Sequence, residues 1–433
     1  MHATRDPVVL IHGIFGWGLK SPLFNLFPCY WPRDEIAEIN PNHIIVQVGK
    51  VSSDHDRACE AFYQLYGGRV DYGETHSCKY GHHRYGSTYA AAHPKWSEAH
   101  PVHLLGHSFG GTTALELYQM ICRDFFGVGS NYKWVKSITT VASPLTGSTL
   151  GSALGAEADT PVPVLSGAHL LAIKVGTFWK ASTTFLPILK HIFDYQLDQW
   201  KGIASWDVLY STRSSILMSQ DNALYSSLPS FRIKKNKELI HMDKLHLFSI
   251  VTTAKDQHHA PMWETAGLVT LLYVLSCRRQ LWPVRIVRAG AWVALAVFMW
   301  KKMLLMDYTK ARATLWAIMW VMRRYVYSKT EHGLDHKIWV HNDGVVNTYS
   351  QVYPRVALNP KETPETKPAS SMVRNASYVS VDLENLGAED DDIAKGQWHI
   401  HRLEKNHLCG TFLDADAGEM YKHIFKLLQK TDL

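Results

Sequence analysis

Paired cysteines are missing from this chain. Its six cysteines, Cys29, Cys59, Cys78, Cys122, Cys277 and Cys409, are scattered without a CxxC pair, which excludes a thiolate zinc site or a dithiol redox motif and predicts free thiols. Residues 1–6 have no cationic and apolar leader ahead of the first apolar run, so the chain reads as intracellular instead of secreted. No apolar run reaches the roughly 20 residues that a membrane-spanning helix needs. Acid is nearly absent from one stretch: residues 277–330 hold eleven Lys or Arg against Asp307 alone. Since the whole chain carries only +6, the basic character is local, and with no reading motif beside it general nucleic-acid binding is excluded.

What is present is an alternation of two periods. Residues 7–11, 43–51, 101–105 and 133–141 are short apolar runs bounded by breakers and read as buried strands. Residues 54–66, 112–122 and 419–429 place apolar side chains at helical spacing. Strands alternating with helices imply an α/β class built on a mostly parallel sheet covered by helices. Residues 167–193 are too apolar for a linker and read either as a core helix pair or as a mobile amphipathic lid. Between 262 and 330, apolar stretches interrupted by Arg and Lys alternate with Trp282, Trp292, Trp300, Trp316 and Trp320. That combination suits helices lying in a membrane interface, the alternative being a buried insertion. Residues 357–395 are rich in Pro, Ser and acid and read as a surface insertion with little order.

The chemistry centres on Gly106-His107-Ser108-Phe109-Gly110. This GxSxG pattern falls between a strand and a helix, where a serine is held on a strained turn with its hydroxyl exposed, so Ser108 is the candidate nucleophile. Serine is a weak nucleophile unless a histidine takes its proton and an acid orients that histidine. Asp343, in an Asp-Gly turn read as following the apolar strand that includes Trp339-Val340, is the candidate acid. Three downstream histidines, His399, His401 and His407, qualify as the base, and spacing does not choose among them. The backbone N–H groups of Phe109, after the nucleophile, and Ile14, after the first strand, fit the two donors of an oxyanion hole.

These segments together resemble the thermoalkalophilic, zinc-containing bacterial lipase family and its plant and algal relatives. The matching pieces include Val9-Leu10-Ile11-His12-Gly13, residues 52–61, Gly67-Gly68 through Asp71-Tyr72-Gly73, His107-Ser108 with Gly110-Gly111, Leu197-Asp198-Gln199-Trp200 and residues 342–348. The resemblance implies an α/β-hydrolase fold with a zinc-bearing insertion and a helical lid. It selects His407 as base, because Lys395-Gly396-Gln397-Trp398 leads to His407-Leu408 as in the family. It implies a structural zinc on Asp56, His76, His82 and Asp198, two imidazoles and two carboxylates that leave no open position for water. Calcium is not predicted, because Cys409 and Asp414-Ala415 stand where the family has a glutamate and Asp-Pro.

The resulting expectation is a single hydrolase domain over 1–433, with a zinc subdomain at 52–90, a lid at 160–200 and insertions at 262–330 and 357–395. Its substrates would be long-chain acyl esters, met at a membrane or lipid surface. Two rival readings are a soluble esterase or thioesterase for small acyl substrates, and a catalytically silent membrane-associated interaction protein. Oligomeric state has no signature in the sequence.

Overall fold

Val8 to Ile11 offer no polar side chain to either face, and such a run is stable only with apolar layers on both sides. In the computed structural model this run is β1 (Val8–Ile11), and all four residues are buried. The structure describes residues 3–158, 162–163, 166–200, 219–254, 308–328, 334–359 and 393–432.

The first half of the chain continues through α1 (Arg33–Ile39), β2 (His43–Val46), α2 (Asp54–Tyr66), β3 (Gly68–Asp71), α3 (Glu74–Tyr80), β4 (Tyr85–Tyr89), β5 (Val102–His107), α4 (Phe109–Cys122) and β6 (Val135–Val141). Then follow α5 (Thr149–Ala153), α6 (Gly167–Thr184), α7 (Leu189–Ile192), α8 (Ala223–Ser226), α9 (Pro229–Asn236) and β7 (His246–Thr252). The rest comprises α10 (Tyr308–Ser328), α11 (His336–Trp339), α12 (Thr348–Gln351), β8 (Trp398–Leu403) and α13 (Ala417–Lys430).

Six strands form one sheet in the order β2-β1-β5-β6-β7-β8, every pair parallel. Because strand side chains alternate between faces, β1 feeds two cores. Val9 and Ile11 join the side packed by α2 and α4, while Val8 and Leu10 join the side packed by α1 and α13. The expected parallel sheet covered by helices is therefore present. In a parallel sheet all C-terminal strand ends share one edge, and that is where loops converge to build sites.

Local readings differ in two places. The run 43–51 ends as a strand at Val46, because the Gln64 side chain takes both the N–H and the C=O of Gln47 and removes them from the ladder. The apolar strand read as including Trp339-Val340 is not formed there: His336–Trp339 make a helical turn with Val340 as its C-cap. The Asp335 carboxylate accepts from the Lys337 amide and starts it.

Within 52–90, β3 and β4 pair antiparallel as a separate two-stranded sheet beside α2 and α3. Most of the 262–330 and 357–395 calls lies outside the described residues. The described part of the former, 308–328, is the helix α10. Among the described residues no helix is long and apolar enough to cross a membrane.

Phe62 anchors the larger core: it is buried and lies flat on Phe126, with ring centroids 3.6 Å apart and planes within 4°. Phe62→Ala is expected to cost about 3–5 kcal/mol of stability, read as a lowered thermal midpoint. Leu26→Ser, at a side chain 85% exposed, is expected to change stability by no more than about 0.5 kcal/mol.

Candidate active site

Ser108 stands between the last residue of β5 and the first of α4, with φ 55° and ψ −130°. A left-handed φ is costly for a residue with a side chain and persists only where the surroundings impose it. Here they do. A Cβ on Gly110 would lie 2.0 Å from the Ile11 carbonyl oxygen, so only glycine lets α4 start against β1. The Ser108 amide donates to the Val141 carbonyl at 2.7 Å, which ties the turn to β6.

The three residues proposed for a triad meet at the C-terminal edge of the sheet. His407 Nε2 lies 2.7 Å from Ser108 Oγ, and His407 Nδ1 lies 2.9 Å from Asp343 Oδ2. Asp343 is fully buried, yet every lone-pair direction is used. Its Oδ1 accepts from the Val345 and Val346 amides at 2.9 and 2.8 Å. Its Oδ2 also accepts from Thr252 Oγ1 at 2.7 Å and Gln351 Nε2 at 3.0 Å. Burial pushes the Asp343 carboxyl up, but His407 and these hydrogen bonds outweigh it and hold the group below its ordinary pKa. The acid therefore stays ionised as His407's partner. His399 and His401, the other downstream histidines, belong to β8 and do not meet Ser108: His401 pairs with His423 and His399 packs on Phe248.

Phe109 follows the serine as the first residue of α4, and Ile14 follows Gly13 in the loop after β1. A Cβ on the preceding Gly13 would come within 2.7 Å of Ser108 Cβ, so the first loop presses directly on the nucleophile. Among the described residues neither the Ile14 nor the Phe109 amide has a backbone acceptor. Buried Arg57 fixes the loop, donating to the His12 carbonyl, to the Gly49 carbonyl at 2.7 Å and to Thr113 Oγ1 at 2.9 Å. The Phe15 amide is held by the Lys50 carbonyl at 3.0 Å.

A second cluster forms where α2 and α3 approach residue 221. Asp56, His76, His82 and Asp221 each direct one ligand atom into a space where all four atoms lie within 4.8 Å of one another. The contacts are short: His76 Nε2 to Asp56 Oδ1 and to Asp221 Oδ1, 3.2 Å each, and His82 Nε2 to Asp221 Oδ2, also 3.2 Å. The four atoms Asp56 Oδ1, His76 Nε2, His82 Nε2 and Asp221 Oδ2 are buried without a well-formed hydrogen bond. Buried polar atoms are almost always satisfied, so four converging orphans form a group that could hold a cation. Burial alone would depress His76, but the Asp221 and Asp56 carboxylates outweigh it and hold its pKa up at about 9. Second contacts orient the ligands. The His82 ring meets the His83 carbonyl through Nδ1 at 2.9 Å, which puts the proton there and leaves Nε2 bare. Gln199 donates to Asp56 Oδ2 at 2.6 Å.

Asp198 is a correction. The sequence reading placed it in the metal set, but its carboxylate accepts from Ser87 Oγ at 2.9 Å instead. Asp198 to Trp200 form a single tight turn, and that turn carries Gln199, not Asp198, to the cluster. The second carboxylate is Asp221, which sequence reasoning missed. Its one local signal is Asn222, whose side chain caps α8 by accepting from the Leu224 and Tyr225 amides; such a cap marks the preceding backbone as ordered. Asp414, at the position compared with a calcium ligand, accepts from Lys405 Nζ at 2.7 Å and from the Gly410 amide at 2.8 Å.

Residues 4–166 match the family model described as "Lipase-like, C-terminal domain". "Lipase 2" of Staphylococcus aureus is 38% identical over 177 residues, 35% of this chain and 25% of that protein. "Lipase 1" of the same species is 32% identical over 180 residues, 36% of this chain and 26% of that protein. The chain thus aligns with about a quarter of the length of these relatives. The lipase of Staphylococcus hyicus superposes with a TM-score of 0.58 at 21% identity, over 99% of this chain and 96% of that one. Lipase 1 from Pelosinus fermentans gives 0.58 at 24% identity, over 98% and 99%. EstA from Clostridium botulinum gives 0.58 at 22% identity, over 99% and 88%. Residues 4–166 are thus similar to the lipase-like model and to the staphylococcal lipases, and the fold is that of the α/β-hydrolases.

Proposed function

We propose that this chain hydrolyses lipid acyl esters through Ser108, His407 and Asp343. The observation that carries the reading is the continuous 2.7 and 2.9 Å path from Ser108 Oγ through the His407 ring to a buried carboxylate. His407 Nε2 takes the proton of Ser108 as Oγ attacks the ester carbonyl, and Asp343 stabilises the imidazolium so formed. Charge developing on the carbonyl oxygen is met by the Ile14 and Phe109 amides. His407 then hands its proton to the departing alkoxide, leaving an acyl-enzyme. Water, deprotonated by the same imidazole, cleaves it and restores Ser108.

Several features support a lipid substrate. Residues 167–193 contain no Asp or Glu, and the turn between α6 and α7 exposes Phe185, Leu186 and Ile188. The loop bearing exposed Leu19, Phe24 and Leu26 is bound to that region, with the Leu23 and Phe24 amides donating to the Ile192 and His191 carbonyls at 3.0 and 2.7 Å. An apolar rim without anionic side chains fits a lid that rests on a lipid surface and uncovers the serine there. The basic, tryptophan-rich stretch before α10 would add membrane association from within the cell.

The donor set Asp56, His76, His82 and Asp221 fits a structural zinc, with two nitrogen and two oxygen ligands and no position left for water. Zinc would act here as a cross-link between α2, α3 and the segment before α8, remote from the serine.

Ser108→Ala is expected to abolish both acyl-ester hydrolysis and labelling by a fluorophosphonate; full hydrolysis by that variant would end the reading. Asp343→Asn should lower kcat by about 10³–10⁴-fold through loss of the correct tautomer. Turnover should rise as substrate passes from monomer to emulsion, and a flat response would favour a small-ester hydrolase. Protein purified without a His tag should contain about one zinc per chain. Asp221→Ala should lose the metal and lower the thermal midpoint, whereas Asp198→Ala should keep it; the reverse pattern would return the ligand to Asp198.

A further inference from the structure

His107 precedes the nucleophile, is buried at 2% exposure and touches none of the reacting atoms. Its two ring nitrogens have partners on opposite sides. Nε2 lies 3.0 Å from the main-chain carbonyl oxygen of His407, and Nδ1 lies 2.5 Å from Tyr30 Oη. These partners decide where each proton sits. A carbonyl oxygen only accepts, so Nε2 carries hydrogen. Burial, assisted by the charge of His407, pushes the His107 pKa down to about 3, so the ring is neutral and Nδ1 is a bare acceptor. Tyr30 must therefore donate its O–H to Nδ1, and burial raises the phenol's pKa, so the proton stays on oxygen. The lone pairs of Tyr30 Oη are then left to face the Gly13 amide at 3.4 Å.

The order is forced in one direction: Gly13 N–H to Tyr30, Tyr30 O–H to His107, His107 N–H to the carbonyl of His407. One end is the loop that carries the Ile14 amide and the other is the backbone of the catalytic base. The opposite main-chain group of His407 is also held, its N–H donating to the Asp343 carbonyl at 2.9 Å. His407 lies in the loop between β8 and α13, outside any regular element. Nothing in helix or sheet geometry sets its place, and a misplacement of about 1 Å at a reacting group costs about 10²-fold in rate.

We propose that His107 and Tyr30 are positioning residues, a neutral imidazole–phenol relay that locks the His407 backbone and sets its distance from the oxyanion loop. The inference rests on the hydrolase reading for the role of His407. The relay itself is independent of that role.

Three variants test it: His107→Leu removes the donor and keeps the bulk, His107→Gln places an amide N–H near the Nε2 position, and Tyr30→Phe deletes one oxygen. For His107→Leu, kcat and the rate of Ser108 labelling by a fluorophosphonate should fall about 10²-fold with KM within about threefold. His107→Gln should recover both to within about tenfold of the starting protein. The low-field proton resonance of the Asp343–His407 hydrogen bond should vanish in His107→Leu and persist in His107→Gln. A purely structural role would lower thermal midpoints in both variants without the glutamine rescue. Unchanged labelling and an unchanged resonance in His107→Leu would overturn the proposal. Should the unmodified protein fail to label, the hydrolase reading falls, and the resonance alone still decides the relay. Should His107→Leu fail to fold, Tyr30→Phe is read by the same two measurements: loss of rate and resonance supports the relay, and retention of both overturns it.

Discussion

The site depends on one steric constraint: β1, β5 and the start of α4 approach so closely that Gly110 has no room for a Cβ beside the Ile11 carbonyl. That contact forces the bend at Ser108 into a left-handed backbone conformation. The bend lifts the hydroxyl clear of the strand toward the edge where His407 and Asp343 arrive. Without it, the Ser108 side chain would follow the alternation of β5 instead of meeting His407. The strain is offset by what surrounds it, chiefly the Ser108 amide on β6 and the apolar packing of α4.

Around this bend the molecule uses buried polarity sparingly and completely. Asp343 is enclosed, and its two oxygens are filled by two amides, a hydroxyl, a carboxamide and an imidazole. Arg57 is enclosed, and its nitrogens are spent on two carbonyls and a threonine. Such saturation keeps a charge ionised in a low-dielectric setting and holds loops to tolerances that packing alone does not reach. The second cluster is the opposite case, with four buried donor atoms left over at one point. The contrast between the two is what makes the second cluster, and not the first, a set of groups that could hold a cation.

Much of this was legible in the residues. Short, mostly apolar runs became strands of a parallel sheet, and the GxSxG pattern marked the turn that carries Ser108. Asp56, His76 and His82 were named through the family resemblance, and α2 with α3 and the turn after it brings them together. Asp221 was not, because its place is set by tertiary packing across more than a hundred residues, and Asp198 was nearer to the familiar Leu197-Trp200 stretch. The strand reading of residues 336–339 failed for a related reason. Trp339 is buried without belonging to the sheet, so apolar content reported burial and not conformation. His107 had no signal beyond adjacency to the serine; its role is visible only once both ring nitrogens have partners.

Gln199 has a mechanical consequence. Its donation to Asp56, with the Lys50 amide on the Tyr195 carbonyl at 3.1 Å and the Lys50 ammonium on the Asp194 carbonyl, rivets residues 194–200 to the body of the molecule. Any swing of α6 and α7 must then pivot ahead of Asp194, so the lever arm ends at Phe193. The ring of Phe193 sits under the Lys50 ammonium at 5.1 Å from its centroid. One lysine therefore touches residues on both sides of that boundary, so the join between α7 and the body of the molecule depends on a single side chain.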